Sequence, residues 1–218
     1  MKKFELTSEF VTFLGKKLFR IKALVSFGDV AEGELGGFIE RENNLDQYGD
    51  AWVYGNARVY GNARVYGNAR VYGNARVCGD ARVYGNARVC GDARVYGDAR
   101  VCGNARVYGD ARVYGNARVS GDAQVSGDAW VSGDARVYGD ARVQCCRDYS
   151  AASCFGSEDR TTTFFRTKDG GIGVRCGCFY GTLDEFRKKV EERHGDSRLA
   201  KEYLMLADLM EFRLSKDE

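Results

Sequence analysis

Hydrophobic and polar residues alternate with a strict period of six between Tyr48 and Val143. This segment consists of sixteen copies of Tyr-Gly-Asn/Asp-Ala-Arg-Val, with single-residue replacements but no insertion or deletion. Ala and Val are two residues apart, so an extended chain directs both to one side and Arg and Tyr to the other. Gly-Asn or Gly-Asp follows, and these residue types best tolerate a positive φ angle. The pattern therefore predicts a short half-buried strand and a tight turn in every hexapeptide, which is typical of a solenoid.

Three such turns close a triangular coil of eighteen residues, with Val in the middle of each wall and Ala near each corner. Coils then stack at the ordinary interstrand spacing of about 4.8 Å. The fold prediction is an all-β parallel solenoid with a small α+β C-terminal cap. We divide the chain into an N-terminal cap (1–46), the repeat β-helix (47–143), a linker read as a loop (144–160) and a C-terminal β-hairpin plus two-helix module (161–218).

The N-terminal segment has to cover the unpaired edge and apolar side chains of the first coil. Leu18, Ile21, Phe38 and Ile39 are the main candidates for this cover, together with Leu24 and Val25. Counting back from the repeats in steps of six places Leu45 in the inward Ala column. We therefore expect the first coil to be closed by residues 1–46.

The C-terminal segment carries signals for a hairpin followed by two helices. Residues 161–167 and 172–179 flank Lys168-Asp169-Gly170-Gly171, a turn sequence. Thr182 and Glu185 form a capping-box pattern, the helix that follows is predicted to end at His194-Gly195, and a second helix begins near Arg198. The segment is read as a cap for the solenoid, and the alternative is a separate partner-binding domain.

The repeat resembles a known group. The spacing of an aliphatic residue and a small residue in each hexapeptide of residues 48–143 is similar to that of the hexapeptide-repeat left-handed β-helix superfamily, which includes acyltransferases and γ-class carbonic anhydrases. The flanks, including Gly36-Gly37-Phe38-Ile39-Glu40 and Thr163-Phe164-Phe165-Arg166, resemble uncharacterised proteins of bacteria and their phages, often labelled polymer-forming or transferase-like. The resemblance implies a left-handed coil and a phage or mobile-element setting.

Composition narrows the cellular setting and the range of partners. The net charge is +2 with 44% hydrophobic residues, which favours one folded domain and gives no strong overall attraction for nucleic acid. The start Met1-Lys2-Lys3-Phe4-Glu5 is unlike a signal peptide, so we expect a cytoplasmic protein of a bacterial host with reduced cysteines and no membrane association.

Catalytic chemistry is not expected. The acyltransferases use a histidine general base and an excursion loop, and the carbonic anhydrases use three histidine ligands, whereas the only histidine here is His194 at a predicted helix end. Cys78, Cys90 and Cys102 are twelve residues apart and fall on three different walls. The C-terminal cysteines are interpreted as buried free thiols. A zinc site is the less favoured alternative, although Cys176 and Cys178 are predicted to lie on one side of a strand. We predict no enzyme, no cofactor and no metal.

Counting in steps of eighteen sorts the outward residues into three walls. The third wall carries the one unbroken arginine column. The second wall has Arg58, Arg76, Arg94 and Arg112 and then Trp130, and on the first wall Trp52 and Gln124 interrupt Arg70, Arg88, Arg106 and Arg142. The predicted partner-binding residues are Arg64, Arg82, Arg100, Arg118 and Arg136 with Tyr66, Tyr84 and Tyr138.

Three interpretations of this surface remain open. The arginines can simply support the fold, neutralised by Asp residues at the corners. They can bind a protein partner or another copy of the chain, since Tyr and Arg are enriched at interface hot spots. They can bind nucleic acid, although their spacing of about 4.8 Å does not match the advance of about 3.4 Å per phosphate of a DNA strand. We favour a non-enzymatic scaffold, self-associating as a dimer or trimer, that binds and inhibits a host or defence protein; the alternatives are a nucleic-acid-binding solenoid and an acyltransferase-like enzyme.

Overall fold

The solenoid is closed at its N-terminal end by a β-hairpin. The computed structural model describes residues 2–156 and 158–215. Strands β1 (Phe4–Phe13) and β2 (Lys16–Ala23) pair antiparallel, and β3 (Leu35–Ile39) joins β2 on its other side, followed by a short 3-10 helix (Glu42–Asn44). Strand β3 then pairs in parallel with the first strand of one solenoid wall, so the cap continues that wall as an antiparallel extension of the same sheet.

Sixteen two-residue strands form the three walls of the parallel solenoid, and their pairing confirms the walls sorted by steps of eighteen. The first wall contains β4 (Trp52–Val53), β7 (Arg70–Val71), β10 (Arg88–Val89), β13 (Arg106–Val107), β16 (Gln124–Val125) and β19 (Arg142–Val143). The second contains β5 (Arg58–Val59), β8 (Arg76–Val77), β11 (Arg94–Val95), β14 (Arg112–Val113) and β17 (Trp130–Val131). The third contains β6 (Arg64–Val65), β9 (Arg82–Val83), β12 (Arg100–Val101), β15 (Arg118–Val119) and β18 (Arg136–Val137).

Between its two ends, the interior of the solenoid is built from the Ala and Val columns. Every Ala and Val of the repeats is at most 1% exposed, as the alternation predicts. Between coils the backbone groups pair in register; for example, the Arg64 N–H donates to the Ala81 carbonyl at 2.9 Å and the Tyr66 N–H donates to the Val83 carbonyl at 3.1 Å. Each coil is therefore held by its two neighbours.

The corners require glycine for two reasons. Gly97, in the middle of the array, has φ +69°, a region that L side chains rarely adopt. A Cβ atom built there would also lie 3.0 Å from the backbone nitrogen of Gly115 in the next coil. The corners can therefore stack at strand spacing only because no side chain separates them.

The N-terminal cap corrects two details of the sequence prediction. Leu45 pairs with Val65 and so occupies the Val column, not the Ala column. The cause is a longer first coil, since Phe38 and Arg58 pair across 20 residues whereas Trp52 and Arg70 pair across 18. The first coil thus holds two extra residues.

Trp52 was assigned to the outer surface of the first wall, but it is fully buried. Phe4 and Phe27 pack against its ring, with centroids 6.2 and 5.3 Å away, because the chain before the repeats folds over this first position of the wall. The candidates Leu18, Ile21, Phe38 and Ile39 are buried as predicted.

The C-terminal module is a four-stranded antiparallel sheet with two helices. Its strands are β20 (Tyr149–Phe155), β21 (Arg160–Arg166), β22 (Ile172–Cys176) and β23 (Phe179–Thr182), and its helices are α1 (Leu183–His194) and α2 (Arg198–Leu214). The hairpin, the capping box at Thr182 and both helices are confirmed. The loop predicted for residues 144–160 is wrong where β20 lies. Gly177 and Cys178 form a turn between β22 and β23, so Cys176 and Cys178 do not share a strand.

Strand β21 joins the solenoid to the C-terminal module. Phe165 is fully buried and belongs to the solenoid core, whereas its neighbour Phe164 belongs to the core of the module with Phe186 and Tyr203. The hydroxyl of Thr163 accepts a hydrogen bond from the Arg136 N–H at 2.9 Å, so β21 also caps the last strand of the third wall. The alternation of side chains along one strand thus serves two cores.

None of the helices in the described residues is both long and apolar enough to cross a membrane.

Candidate protein-binding wall

The third wall presents an arginine column in exact strand register. Arg64 pairs with Arg82 and Arg100 pairs with Arg118, so side chains of equal charge leave the backbone one interstrand distance apart, about 4.8 Å. Arg64, Arg82 and Arg118 are exposed, and Arg100 and Arg136 are half-buried. The structure therefore brings together the five arginines that were predicted to form one column.

Acidic residues do not neutralise this column directly. Within residues 2–156 and 158–215, none of the five arginines forms a salt bridge. The corner residues bond to one another instead: the Asn62 amide donates to Asp80 at 3.0 Å and the Asn116 amide donates to Asp134 at 3.0 Å. The interpretation in which corner Asp residues neutralise the arginines is therefore not supported by direct ion pairs on this wall, although the charge of Asp134 acts on Arg136 without such a contact.

Positive charge is concentrated at the C-terminal end of the third wall. Burial lowers the pKa of Arg136, and the neighbouring charges of Arg118, Arg175 and Arg160 lower it further, whereas the carboxylate of Asp134 opposes the shift. Arg175 comes from β22 and its guanidinium lies 5.2 Å from the ring centroid of Tyr138. Sequence reasoning missed Arg160 and Arg175, because only the packing of β21 against β18 places them beside the column.

The tyrosines next to this column fall into two groups. Tyr66 and Tyr84 stack with centroids 4.9 Å apart and planes 2° apart, and a contact with the Cys102 thiol, followed by burial, raises the pKa of Tyr84. Tyr138 instead meets Tyr180 of the C-terminal module edge to face at 5.0 Å. The structure thus keeps Tyr66 and Tyr84 as candidates for binding, whereas Tyr138 is partly engaged within the chain.

The other two walls differ in how their arginines are engaged. On the second wall, Phe13 of the N-terminal hairpin lies 4.5 Å from the guanidinium of Arg58 and 4.8 Å from that of Arg76, and Arg112 lies 4.6 Å from the Trp130 ring.

On the first wall, Arg70 forms a salt bridge with Asp29 at 2.8 Å, and Arg142 donates to the Asp140 and Ala141 carbonyls. Among the residues that the structure describes, only the third wall has neither a ring nor a carboxylate seated on any of its arginines. This wall is therefore the one with the most charge left available to a partner.

A hollow opens where the third wall meets the N-terminal cap. Its volume is about 530 Å³, and Glu42, Asp46, Tyr48 and Arg64 are among the residues around it. Lys2 holds the Glu42 carboxylate at 2.9 Å. The hollow gives the otherwise flat wall one concave end.

The cysteines and the histidine are dispersed over the molecule. Strand pairing puts Cys78, Cys90 and Cys102 beside the second, first and third walls, as predicted, and burial raises the pKa of Cys78, which keeps its thiol protonated. The His194 ring lies 5.7 Å from that of Tyr203. No group of three or more His, Cys, Asp or Glu residues that could hold a metal occurs in the described part of the chain.

The fold and the comparison with known families agree that this is a repeat β-helix protein. A family profile, the YdcK β-solenoid repeat, matches six overlapping segments of the array: residues 51–65, 63–79, 75–91, 87–100, 99–113 and 111–127. These segments cover less than half of the chain, so the similarity describes the repeats and not the two caps. No curated protein gives a significant match.

Proposed function

We propose that the protein is a non-enzymatic scaffold that binds an acidic surface of a protein partner on its third wall. The observation that supports this proposal is the arginine column of that wall, which carries no salt bridge within the described residues while the other two walls engage several of theirs. A column of like charges without direct ion pairs attracts and orients a partner of the opposite sign.

The shape of the wall favours a protein over a small molecule. Five strands in register give a column about 19 Å long, and Tyr66 and Tyr84 add a stacked aromatic pair at its N-terminal half. Arginine and tyrosine are the residue types that contribute most at protein interfaces. A flat wall of this length matches one side of a small protein–protein interface.

A nucleic-acid-binding solenoid is the second candidate, favoured by the same unpaired arginines and by the stacked tyrosines. Two observations disfavour it. The arginines recur about every 4.8 Å, whereas a DNA strand advances about 3.4 Å per phosphate. The carboxylates of Asp80 and Asp134 at the neighbouring corner would repel the phosphates. An acyltransferase-like enzyme is less favoured, since the only histidine, His194, lies at the end of α1, away from the repeats.

The biological role we favour is a phage or mobile-element accessory protein that inhibits a host or defence protein in the bacterial cytoplasm. This part of the proposal depends on the resemblance of the flanking segments. Self-association, as a dimer or trimer, belongs to the same proposal, because it would present more than one wall to the partner.

Two matched double variants test the binding wall. Arg82→Glu/Arg100→Glu reverses two arginines of adjacent coils on the third wall, and Arg88→Glu/Arg106→Glu makes the same change on the first wall. All four side chains point outward, so both variants should keep the circular dichroism spectrum and melting temperature of the wild type. Tagged proteins are expressed in the bacterial host, and the proteins that co-purify after nuclease treatment are identified by mass spectrometry.

We expect the third-wall variant to lose a partner that the wild type and the first-wall variant both retain, with at least a tenfold loss of affinity when that partner is purified. Equal retention by all three proteins would show that the column is only a solvated surface. Loss of all bound material on nuclease treatment would favour the nucleic-acid alternative.

A further inference from the structure

The hollow at the N-terminal end of the third wall has the size and the side chains of a small-molecule site. Its volume of about 530 Å³ lies within the range of about 300–1,000 Å³ that is usual for ligand pockets. The apolar, aromatic and basic residues around it are Leu45 and Val65, Tyr48 and Tyr66, and Arg64 and Arg82. It is therefore a concave, mixed apolar and basic end of an otherwise flat wall.

Two arginines bring positive charge to the hollow. Arg64 and Arg82 are exposed and pair directly across adjacent strands, about 4.8 Å apart at the backbone. Neither forms a salt bridge with any residue of the described ranges 2–156 and 158–215. Two guanidinium groups at this spacing can hold the oxygens of one phosphate group.

Two carboxylates also border the hollow, and each has a lysine of the N-terminal cap as a neighbour. Lys2 binds the Glu42 carboxylate at 2.9 Å. Burial lowers the pKa of Lys3 to about 8, and the charges of Asp46 and Asp50 oppose this shift, so the Lys3 ammonium interacts with both carboxylates. Glu42 and Asp46 therefore do not cancel the charge of the two arginines, which stay available to an anion.

The stacked tyrosine pair of the third wall ends at the hollow. The rings of Tyr66 and Tyr84 are 4.9 Å apart with planes 2° apart, and of the two only Tyr66 borders the hollow. The face of Tyr66 turned away from Tyr84 is therefore directed towards this space. Tyr48, which also borders it, is 80% exposed. A planar ring in the hollow can extend the stack, as nucleobases do on aromatic side chains.

We propose that the hollow is a binding site for a nucleoside phosphate, with the base stacked on Tyr66 and the phosphate between Arg64 and Arg82. Arg64 and Tyr66 are two residues apart, about 6.6 Å along the strand, and a ribose can bridge this distance. A free nucleotide and the terminal nucleotide of a nucleic-acid strand both carry this chemistry. One stacked ring and one phosphate contact should give a dissociation constant between about 10 and about 100 µM.

Isothermal titration calorimetry of the full chain with AMP, GMP, CMP and UMP tests the site. At least one of them should bind, whereas the matching nucleoside and inorganic phosphate, tested separately, should each bind at least tenfold more weakly. Arg64→Gln should weaken nucleotide binding at least tenfold, because the phosphate loses one of its two guanidinium partners. Arg118→Gln is the matched control, since Arg118 is an exposed residue of the same column outside the hollow.

A second pair of variants tests the stack. Tyr66→Ala should weaken nucleotide binding at least tenfold, and Tyr66→Phe, which keeps the ring, should bind as the wild type does. Tyr114→Ala removes a ring from the equivalent stack with Tyr96 on the second wall and should leave binding unchanged. Circular dichroism checks the fold of each variant. Absence of binding of all four monophosphates at about 1 mM, or equal affinities of Arg64→Gln and Arg118→Gln, would overturn the proposal.

A short DNA strand with a terminal phosphate distinguishes the two sources of the ligand. If the strand binds more tightly than the mononucleotide and loses this gain in Arg118→Gln, the hollow holds the end of a nucleic acid that continues along the wall. Equal affinities assign the site to a free nucleotide. The proposal goes beyond protein binding by the third wall, which partner capture by Arg82→Glu/Arg100→Glu tests separately, so either proposal can fail without the other.

Discussion

The repeat array and the C-terminal module are stabilised in different ways. In the array, each coil contacts the coil before it and the coil after it, and one set of backbone hydrogen bonds is repeated from coil to coil. In the module, side chains distant in sequence, such as Phe164, Phe186 and Tyr203, close around one core. A destabilising change in the array should therefore disrupt mainly the neighbouring coils, whereas the module should fold or unfold as a unit.

The largest expected effect is at the strand that both regions share. Phe165→Ala removes the buried ring that seals the last coil, and a loss of about 3–5 kcal/mol in the free energy of unfolding is expected. Phe164→Ala removes a neighbouring ring from the module core alone. Hydrogen exchange read by mass spectrometry should show faster exchange in the last coils for Phe165→Ala and in the helices for Phe164→Ala. The same exchange pattern in both variants would mean that the two regions form one cooperative unit.

A smaller effect is expected at a corner of the array. Gly97→Ala forces an alanine into a positive φ angle and puts its Cβ 3.0 Å from the Gly115 nitrogen, so a loss of about 2–4 kcal/mol is expected. Gly133→Ala is the matched control, because Gly133 has φ +62° but no atom within 4 Å of the added Cβ. Its cost should be limited to the strain of about 1–2 kcal/mol. Urea denaturation compares the two, and equal losses would show that stacking of the corners does not limit the array.

The smallest effect concerns the N-terminal cap and pH. Burial lowers the pKa of Lys3 to about 8, and the charges of Asp46 and Asp50 only partly oppose this shift. The unfolded chain then binds more protons than the folded chain between about pH 8 and pH 10, so the contribution of Lys3 to stability rises with pH in this window. Tyrosines such as Tyr54, whose pKa burial raises to about 12, act in the opposite direction above about pH 10.

Comparison with Lys3→Met isolates the lysine from the tyrosines. The difference in unfolding free energy between wild type and variant should shift in favour of the wild type as the pH is raised from about 8 to about 9.5. A difference that does not change over this interval would mean that the Lys3 ammonium, which donates to the Gly49 and Ala51 carbonyls, keeps an ordinary pKa.

The success of prediction from sequence also differs between the repeat array and the rest of the chain. The walls, the buried Ala and Val columns and the position of the column from Arg64 to Arg136 are predictable, because a local rule repeated without a gap fixes the register of every coil. Trp52 and Leu45 were placed wrongly, because the folding of the cap and two extra residues in the first coil are not visible in the repeat.

Long-range packing limits the prediction of the C-terminal module and of the surfaces. Strand β20 was missed because Tyr149-Ser150-Ala151-Ala152 shows no clear alternation of apolar and polar residues. Its extended conformation depends on antiparallel pairing with β21. Arg175 reaches the third wall only through the docking of β21. Three exposed apolar residues of α2 did have a sequence signal, because the spacing of Met205, Leu209 and Phe212 by four and three residues places them away from the buried face of the helix.

Because three hexapeptides make one turn of the solenoid, the number of repeats sets the angle between its N-terminal and C-terminal ends. Gain or loss of one hexapeptide, the common outcome of slippage in a tandem gene repeat, would rotate the C-terminal module by a third of a turn and shift it by only about 1.6 Å along the axis. Gain or loss of three would restore the angle and change the length by about 4.8 Å. The number of repeats therefore sets the direction in which α2 projects relative to the N-terminal hairpin. Gain or loss of one hexapeptide changes this direction, whereas gain or loss of three changes only the length of the solenoid.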